Sequence, residues 1–246
     1  MTTSPNNRSR RGLAWAIIGG AVLLVGILAI ILAAIFSGGS TPTQTETAPP
    51  QATPTAHPTN PAVDEFVDTS VIDKGWVPEP ITTDPETYIR AALAAASTFD
   101  TQLSTRPKWL AYLDTWFTPD TRYASEEDRQ SDMQASQLEM RQGVVLPEAE
   151  WDSLANEDGR VVAAATGDIE YSDVPDDESG AMRIGTADVV LTFTSEDGTG
   201  SETSYEDSVR VSVQVLCGDG SVPMPNTAQQ AGDCKVVRYF SGSLEP

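Results

Sequence analysis

The stretch SVRVSVQVLC, residues 208–217, alternates polar and apolar side chains over its first eight positions. Because successive side chains of a strand point to opposite faces, this period of two predicts a β-strand with one face against a core. The apolar face carries Val209, Val211, Val213 and Val215. The strand decides the fold class, because similar short patterns occur on both sides of it.

Three further strands are predicted, at 161–171, 186–195 and 235–241. The turn-rich loop SDVPDDESG separates the first two, and Asp197-Gly198 predicts a tight turn before the strand at 208. Residues 144–146 form either a short strand or an extended connection. Consecutive short strands joined by such turns predict an antiparallel sheet.

Three helices are predicted before the strands. The first begins at Asp84 and carries an apolar stripe of Ile89, Ala92, Leu93, Ala96, Phe99 and Leu103. The second begins at Pro107 and has an apolar face of Trp109, Leu110, Leu113, Trp116 and Phe117. The third runs from Ser125 to about Gln142 and is expected to be mostly exposed.

Helices followed by consecutive antiparallel strands predict an α+β domain with the helices on one face of the sheet. The domain is expected to span residues 64–246, with residues 64–83 as an irregular lead-in that packs on it. This length suits a single hydrophobic core.

Upstream of this domain, residues 12–36 read GLAWAIIGGAVLLVGILAIILAAIF and contain no charge. A helix of this length crosses a hydrocarbon core of roughly 30 Å. Residues 1–11 carry Arg8, Arg10 and Arg11 and no acid, so we expect a cytoplasmic stub and an exported remainder. This topology predicts a single-pass protein of the cell membrane with an extracellular carboxyl-terminal domain.

A cleaved signal peptide is the alternative interpretation. Its apolar region is normally about 7–15 residues long and ends at a small-x-small site. The run here is longer, and Ala34 to Ser37 offers no such site, which favours an uncut anchor. Residues 37–63 are rich in Pro and Thr and lack a hydrophobic period, which predicts a disordered linker.

The charge of the chain limits which partners it can bind, and its cysteine content predicts how the cysteines are used. Residues 37–246 hold all 36 Asp and Glu but only 12 of the 15 Lys and Arg, a net charge of −24. Such a surface repels nucleic acid. Cys217 and Cys234 are the only cysteines, and an even count in an exported domain predicts one disulfide.

No motif indicates an enzyme or a cofactor. The only histidine, His57, lies in the predicted linker, which leaves no Ser-His-Asp arrangement. The carboxylate pairs Glu148/Glu150 and Asp114/Asp120 fit a glycosidase only by residue type. One acidic loop has the residue type of a calcium site but lacks the spacing of known calcium loops; its acids are Asp173, Asp176, Asp177 and Glu178. We therefore predict no catalytic, cofactor or metal residues.

The layout resembles the bitopic assembly proteins of conjugative, type IV-like secretion systems in Gram-positive bacteria. The resemblance lies in the anchor, the linker, the helix pair YIRAALAAASTF and KWLAYLDTWF, and the closing strands SVRVSVQVLC and KVVRYFSGS. It implies a nuclear transport factor 2-like, cystatin-like roll with a curved sheet. It also implies a non-enzymatic scaffold or accessory subunit that contacts other envelope proteins or copies of itself. The alternative is a ligand-binding or sensory ectodomain that uses the pocket between helices and sheet.

Overall fold

The computed structural model describes residues 65–196 and 199–241. The predicted stub, membrane helix and linker, residues 1–63, lie outside the described residues, as does the predicted turn at Asp197-Gly198. Within the two described ranges, no helix combines the length and the apolar character needed to cross a membrane.

The lead-in packs on the domain, as predicted. It contains a 3₁₀ helix, Thr69–Lys74, and its backbone forms an antiparallel bridge between Phe66 and Pro80. Val71 and Trp76 are buried in the main core. Burial of these two apolar side chains fixes the segment that leads into the first α-helix.

Four α-helices follow the lead-in: α1 Pro85–Ala95, α2 Arg106–Asp114, α3 Glu126–Gly143 and α4 Glu148–Ala155. The Asp84 side chain caps α1 by accepting a hydrogen bond from the Thr87 N–H. Ser125 caps α3 by accepting from the Asp128 N–H. These caps satisfy amide groups that have no partner inside the helix, and both lie where the sequence predicts a helix start.

Five strands form one antiparallel sheet in sequential order: β1 Phe99–Asp100, β2 Arg160–Ser172, β3 Met182–Glu196, β4 Glu202–Leu216 and β5 Lys235–Ser241. β3 and β4 pair along their whole length, whereas β5 pairs only with residues 211–216 of β4. The β2 register shifts between Thr166 and Glu170, where Gly167 has a φ of 68°. A bulge of this kind bends a strand and increases the curvature of the sheet.

The fold is the predicted α+β arrangement of helices on a curved antiparallel sheet, and it fits the nuclear transport factor 2-like roll. α1 lies against β2, β3 and β4. Gly185 of β3 permits this close approach, since a Cβ there would lie 2.7 Å from Cδ1 of Ile89. The concave face of the sheet therefore holds the main core.

The predicted stripe of the first helix was wrong at its carboxyl-terminal end. α1 ends at Ala95, Phe99 begins β1 opposite Val161, and Leu103 is 55% exposed. Pairing with the edge of β2 gives the backbone at Phe99 cross-strand hydrogen bonds, which replace those of another helical turn. Tertiary pairing thus overrides the helical spacing of the apolar residues.

The aromatic face predicted for the second helix also extends past its end. α2 ends at Asp114, and Trp116 and Phe117 are buried just beyond it. The Val236 N–H donates to the Trp116 carbonyl at 3.0 Å, and the Thr118 N–H donates to the Val236 carbonyl at 2.8 Å. These residues cover the outer edge of β5.

Candidate functional site

An open apolar groove lies between the concave face of the sheet and the connection from α3 to α4. It has a volume of about 550 Å³, and Phe193, Leu191 and Val209 form part of its floor. Residues 144–147, which connect the two helices through a turn and a bend, form its opposite wall. A second hollow of about 440 Å³ shares Leu146 and Phe193 with the first and extends along α4.

The groove exists because β3 and β4 continue beyond the end of β5. The last described pair of β5 is Ser241 opposite Val211, so residues 202–210 of β4 have no strand on their outer side within the described residues. On this part of the sheet Val209 is 37% exposed and Tyr205 is 63% exposed. The Tyr205 ring stacks on Phe193 with centroids 4.8 Å apart.

Three carboxylates lie along these two hollows: Asp207 borders the groove, and Glu150 and Glu157 border the second hollow. None of them forms a salt bridge within the part of the chain that the structure describes. Asp207 accepts a hydrogen bond from the neighbouring Ser208 N–H at 2.8 Å. Arg210 also borders the groove, but its guanidinium pairs with Glu170 and Asp188. The groove therefore combines an apolar floor with unneutralised negative charge.

Deeper under the helices, side chains fill the space between α2, α4 and the sheet. Phe99 stacks on Trp151 with centroids 4.1 Å apart, and Trp109 packs against both rings. Trp109 and Phe99 are at most 1% exposed. This aromatic cluster closes the interior, so the groove stays shallow and open along the sheet.

A buried ion pair, which the sequence does not predict, lies away from the groove. Glu79 is 0% exposed and Lys235 is 1% exposed, and Lys235 Nζ donates to Glu79 Oε1 at 2.8 Å. The same oxygen accepts from the Tyr88 hydroxyl at 2.6 Å and from Gln229 Nε2 at 3.1 Å. Lys235 Nζ also donates to the Thr115 carbonyl at 2.7 Å.

Burial shifts the titration of this network. It lowers the pKa of Lys235, and the Glu79 carboxylate opposes that shift. Burial also raises the pKa of the Tyr88 hydroxyl well above its ordinary value, reinforced by the negative charge of Glu79. Perturbed groups often indicate an active site, but these lie outside the residues that line either hollow. We assign the network to the core.

The two cysteines and the first candidate carboxylates have structural roles. Cys217 and Cys234 form a disulfide that closes the loop between β4 and β5. Asp114 pairs with Arg141, and Asp120 pairs with Arg122 at 2.6 Å.

The remaining carboxylates that the sequence analysis considered are exposed or accept hydrogen bonds within turns. Glu148 and Glu150 lie in the first turn of α4. Asp177 accepts hydrogen bonds from the Ser179 N–H and the Met182 N–H, which hold the acidic loop against the sheet. Burial works to raise the pKa of Asp177, but these hydrogen bonds lower it overall. Across residues 65–196 and 199–241, no group of three or more His, Cys, Asp or Glu is placed to hold a metal ion.

The sequence matches no known family model and no curated protein. Among solved structures, it is similar to an IcmL-like type IV secretion system protein from Legionella pneumophila, with 11% identity and a TM-score of 0.38 over 66% of this chain and 95% of that one. It is also similar to CagV, a VirB8 homolog from Helicobacter pylori, with 12% identity and a TM-score of 0.35 over 63% and 93%. A periplasmic fragment of TraM gives 13% identity and a TM-score of 0.35 over 62% and 90%. Type IV secretion is also the setting of the assembly proteins that the sequence resembles.

Proposed function

We propose that this protein is a non-enzymatic scaffold or accessory subunit that binds other proteins of the cell envelope. The open apolar groove beside β4 carries the proposal. Exposed apolar surface that continues along a sheet is typical of protein–protein contact sites. Among the described residues, aromatic side chains fill the interior beneath the helices and leave no enclosed chamber there for a reaction. This favours the scaffold over an enzyme.

The proposed location is the cell membrane, with residues 12–36 as a single span and the described domain outside. Support comes from the uncharged run of 25 residues and from the arginines that precede it. A place in a conjugation or secretion assembly follows from the resemblance of the whole layout. Self-association through the domain or the span belongs to the same proposal.

Site-specific photo-crosslinking in intact cells tests the scaffold. A photoreactive amino acid at Tyr205, in the second hollow next to the groove, is expected to capture a specific envelope protein. The matched control carries the same photoreactive amino acid at position 103 in place of Leu103, which is 55% exposed and does not line either hollow. Equal capture at both positions, or no protein adduct at either, would contradict the proposal.

A ligand-binding ectodomain is the second candidate, because a volume of about 550 Å³ lies within the range of small-molecule pockets. On this alternative, the chain purified from its native membrane carries a small molecule. Native mass spectrometry would detect that mass and its loss on denaturation. A substitution of Leu191 in the floor by Trp would then reduce the bound fraction.

A further inference from the structure

We infer that the free edge of β4 at residues 203–209 accepts an extended, cationic segment of a partner protein as an additional strand. This inference rests on the proposed function and names the chemistry of its partner. Strand addition satisfies backbone hydrogen bonds along an exposed edge, and alternate side chains of the added strand enter neighbouring pockets.

Parts of the other edges of the sheet are covered by the chain itself. On β2, the Ala163 N–H donates to Thr98 Oγ1 at 3.0 Å. Arg90 donates to the carbonyl of Ala165 at 3.4 Å and to that of Gly167 at 2.8 Å. Residues 116–118 cover β5 through the two hydrogen bonds to Val236. Residues 203–209 of β4 have no comparable cover within the described residues, apart from the Ser208 N–H, which donates to the side chain of Asp207.

The side chains on this edge specify the partner. Tyr205, Asp207 and Val209 alternate along β4, so they share the concave face of the sheet. Asp207 and Val209 border the groove, and Tyr205 borders the adjoining second hollow. Residues directly opposite each other on neighbouring strands interact, and opposite charges are favoured there. An added strand therefore fits when it presents an apolar, a cationic and a second apolar side chain to these three positions.

A second copy of this chain does not meet that requirement. Antiparallel pairing of two β4 edges about Glu206 or about Asp207 places that acid opposite itself, and like charges that face each other destabilise a sheet.

The test uses the full chain in detergent micelles and a fluorescent nine-residue peptide, Ser-Thr-Val-Thr-Lys-Thr-Val-Thr-Ser. Val, Lys and Val share one face of this peptide and Thr the other. We expect saturable binding by fluorescence anisotropy, with protection of amides in residues 203–209 from hydrogen exchange. Replacement of Lys by Glu, or methylation of alternate backbone nitrogens, should abolish the binding.

Two variants of β4 separate a specific site from general attraction to an acidic protein. Asp207→Lys should weaken binding at least tenfold, whereas Glu206→Lys, on the opposite face of the same strand, should weaken it less than threefold. Both residues are exposed, so neither change disturbs the core. Deletion of residues 242–246 should leave the affinity unchanged or raise it.

Equal losses in the two variants, undiminished binding of the methylated peptide, or no binding would overturn the inference. The last result would mean that the acids only protect the edge from aggregation. If crosslinking at Tyr205 still captures an envelope protein in that case, the scaffold proposal stands and strand addition alone fails. Loss of the captured adduct in Asp207→Lys cells, with retention in Glu206→Lys cells, would support both.

Discussion

Replacing Lys235 with methionine should destabilise the domain strongly, because it leaves the Glu79 carboxylate buried without a counter-charge. The substitution removes a 2.8 Å hydrogen bond to Glu79 and a 2.7 Å hydrogen bond to the Thr115 carbonyl. Glu79 Oε2 already has no hydrogen-bond partner among the described residues, so the remaining carboxylate is poorly compensated. Breaking a buried pair of this kind costs about 3–5 kcal/mol.

Urea unfolding of the full chain in micelles, followed by tryptophan fluorescence, measures the loss. With an m-value of about 2 kcal/mol/M, the unfolding midpoint should fall by roughly 2 M. The double variant Glu79→Gln/Lys235→Met should be more stable than the single Lys235→Met variant, since it leaves no buried charge without a partner. A loss below about 1 kcal/mol for Lys235→Met would refute the reasoning, because the pair would then have a well-solvated environment.

Three further outcomes are expected from the same unfolding assay. Removing the disulfide with Cys217→Ala/Cys234→Ala should cost about 3 kcal/mol for a loop of this length, and a reductant should affect the wild type alone. Gly185→Ala should cost about 1–3 kcal/mol through overpacking, whereas Gly143→Ala should be neutral or stabilising because the nearest atom lies 3.7 Å from its Cβ. Burial raises the pKa of the Tyr88 hydroxyl, so its contribution to the free energy of unfolding is complete below pH 10 and is lost above it by about 1.4 kcal/mol per pH unit. Burial raises the pKa values of Tyr112 and Tyr239 as well, so Tyr88→Phe should reduce the total slope by that amount without abolishing it, and an unchanged slope would contradict the assignment.

The strands were predictable because the alternation of apolar and polar residues is visible within each short stretch of sequence. The valines at 211, 213 and 215 are buried on the concave face, as the alternation predicts, whereas Val209 is half-exposed because β5 stops before reaching it. Ser212 and Gln214, on the polar face, are buried as well. They lie beside a second small apolar cluster: Val174, Met182, Ile184, Leu216 and Val237. No local pattern reveals a cluster assembled from three strands and a loop.

The helices were predictable at their starts and less so at their ends. Caps such as Asp84 are local signals, but the end of α1 depends on pairing between Phe99 and a strand about 60 residues later. α4 was missed because only Trp151 and Leu154 give it an apolar face over eight residues. So short a helix is stable mainly through the packing of Trp151 in the aromatic cluster.

The candidate site was predictable only in outline. A pocket between helices and sheet was expected, but its position depends on where β5 ends relative to β4. The polar network has no signal in the sequence at all, since Glu79 and Lys235 are 156 positions apart. Each residue alone resembles an ordinary surface charge, and only the folded chain shows that both are enclosed.

Because Glu79 and Lys235 are far apart along the chain, they are synthesised at different times. While the protein is nascent, Glu79 leaves the ribosome long before Lys235, and Ala92 likewise precedes the Tyr239 hydroxyl that later donates to its carbonyl. A chain that stops short of the final strand therefore retains an uncompensated acid in its centre. A product truncated before β5 should therefore be less stable than the full chain and more susceptible to proteolysis.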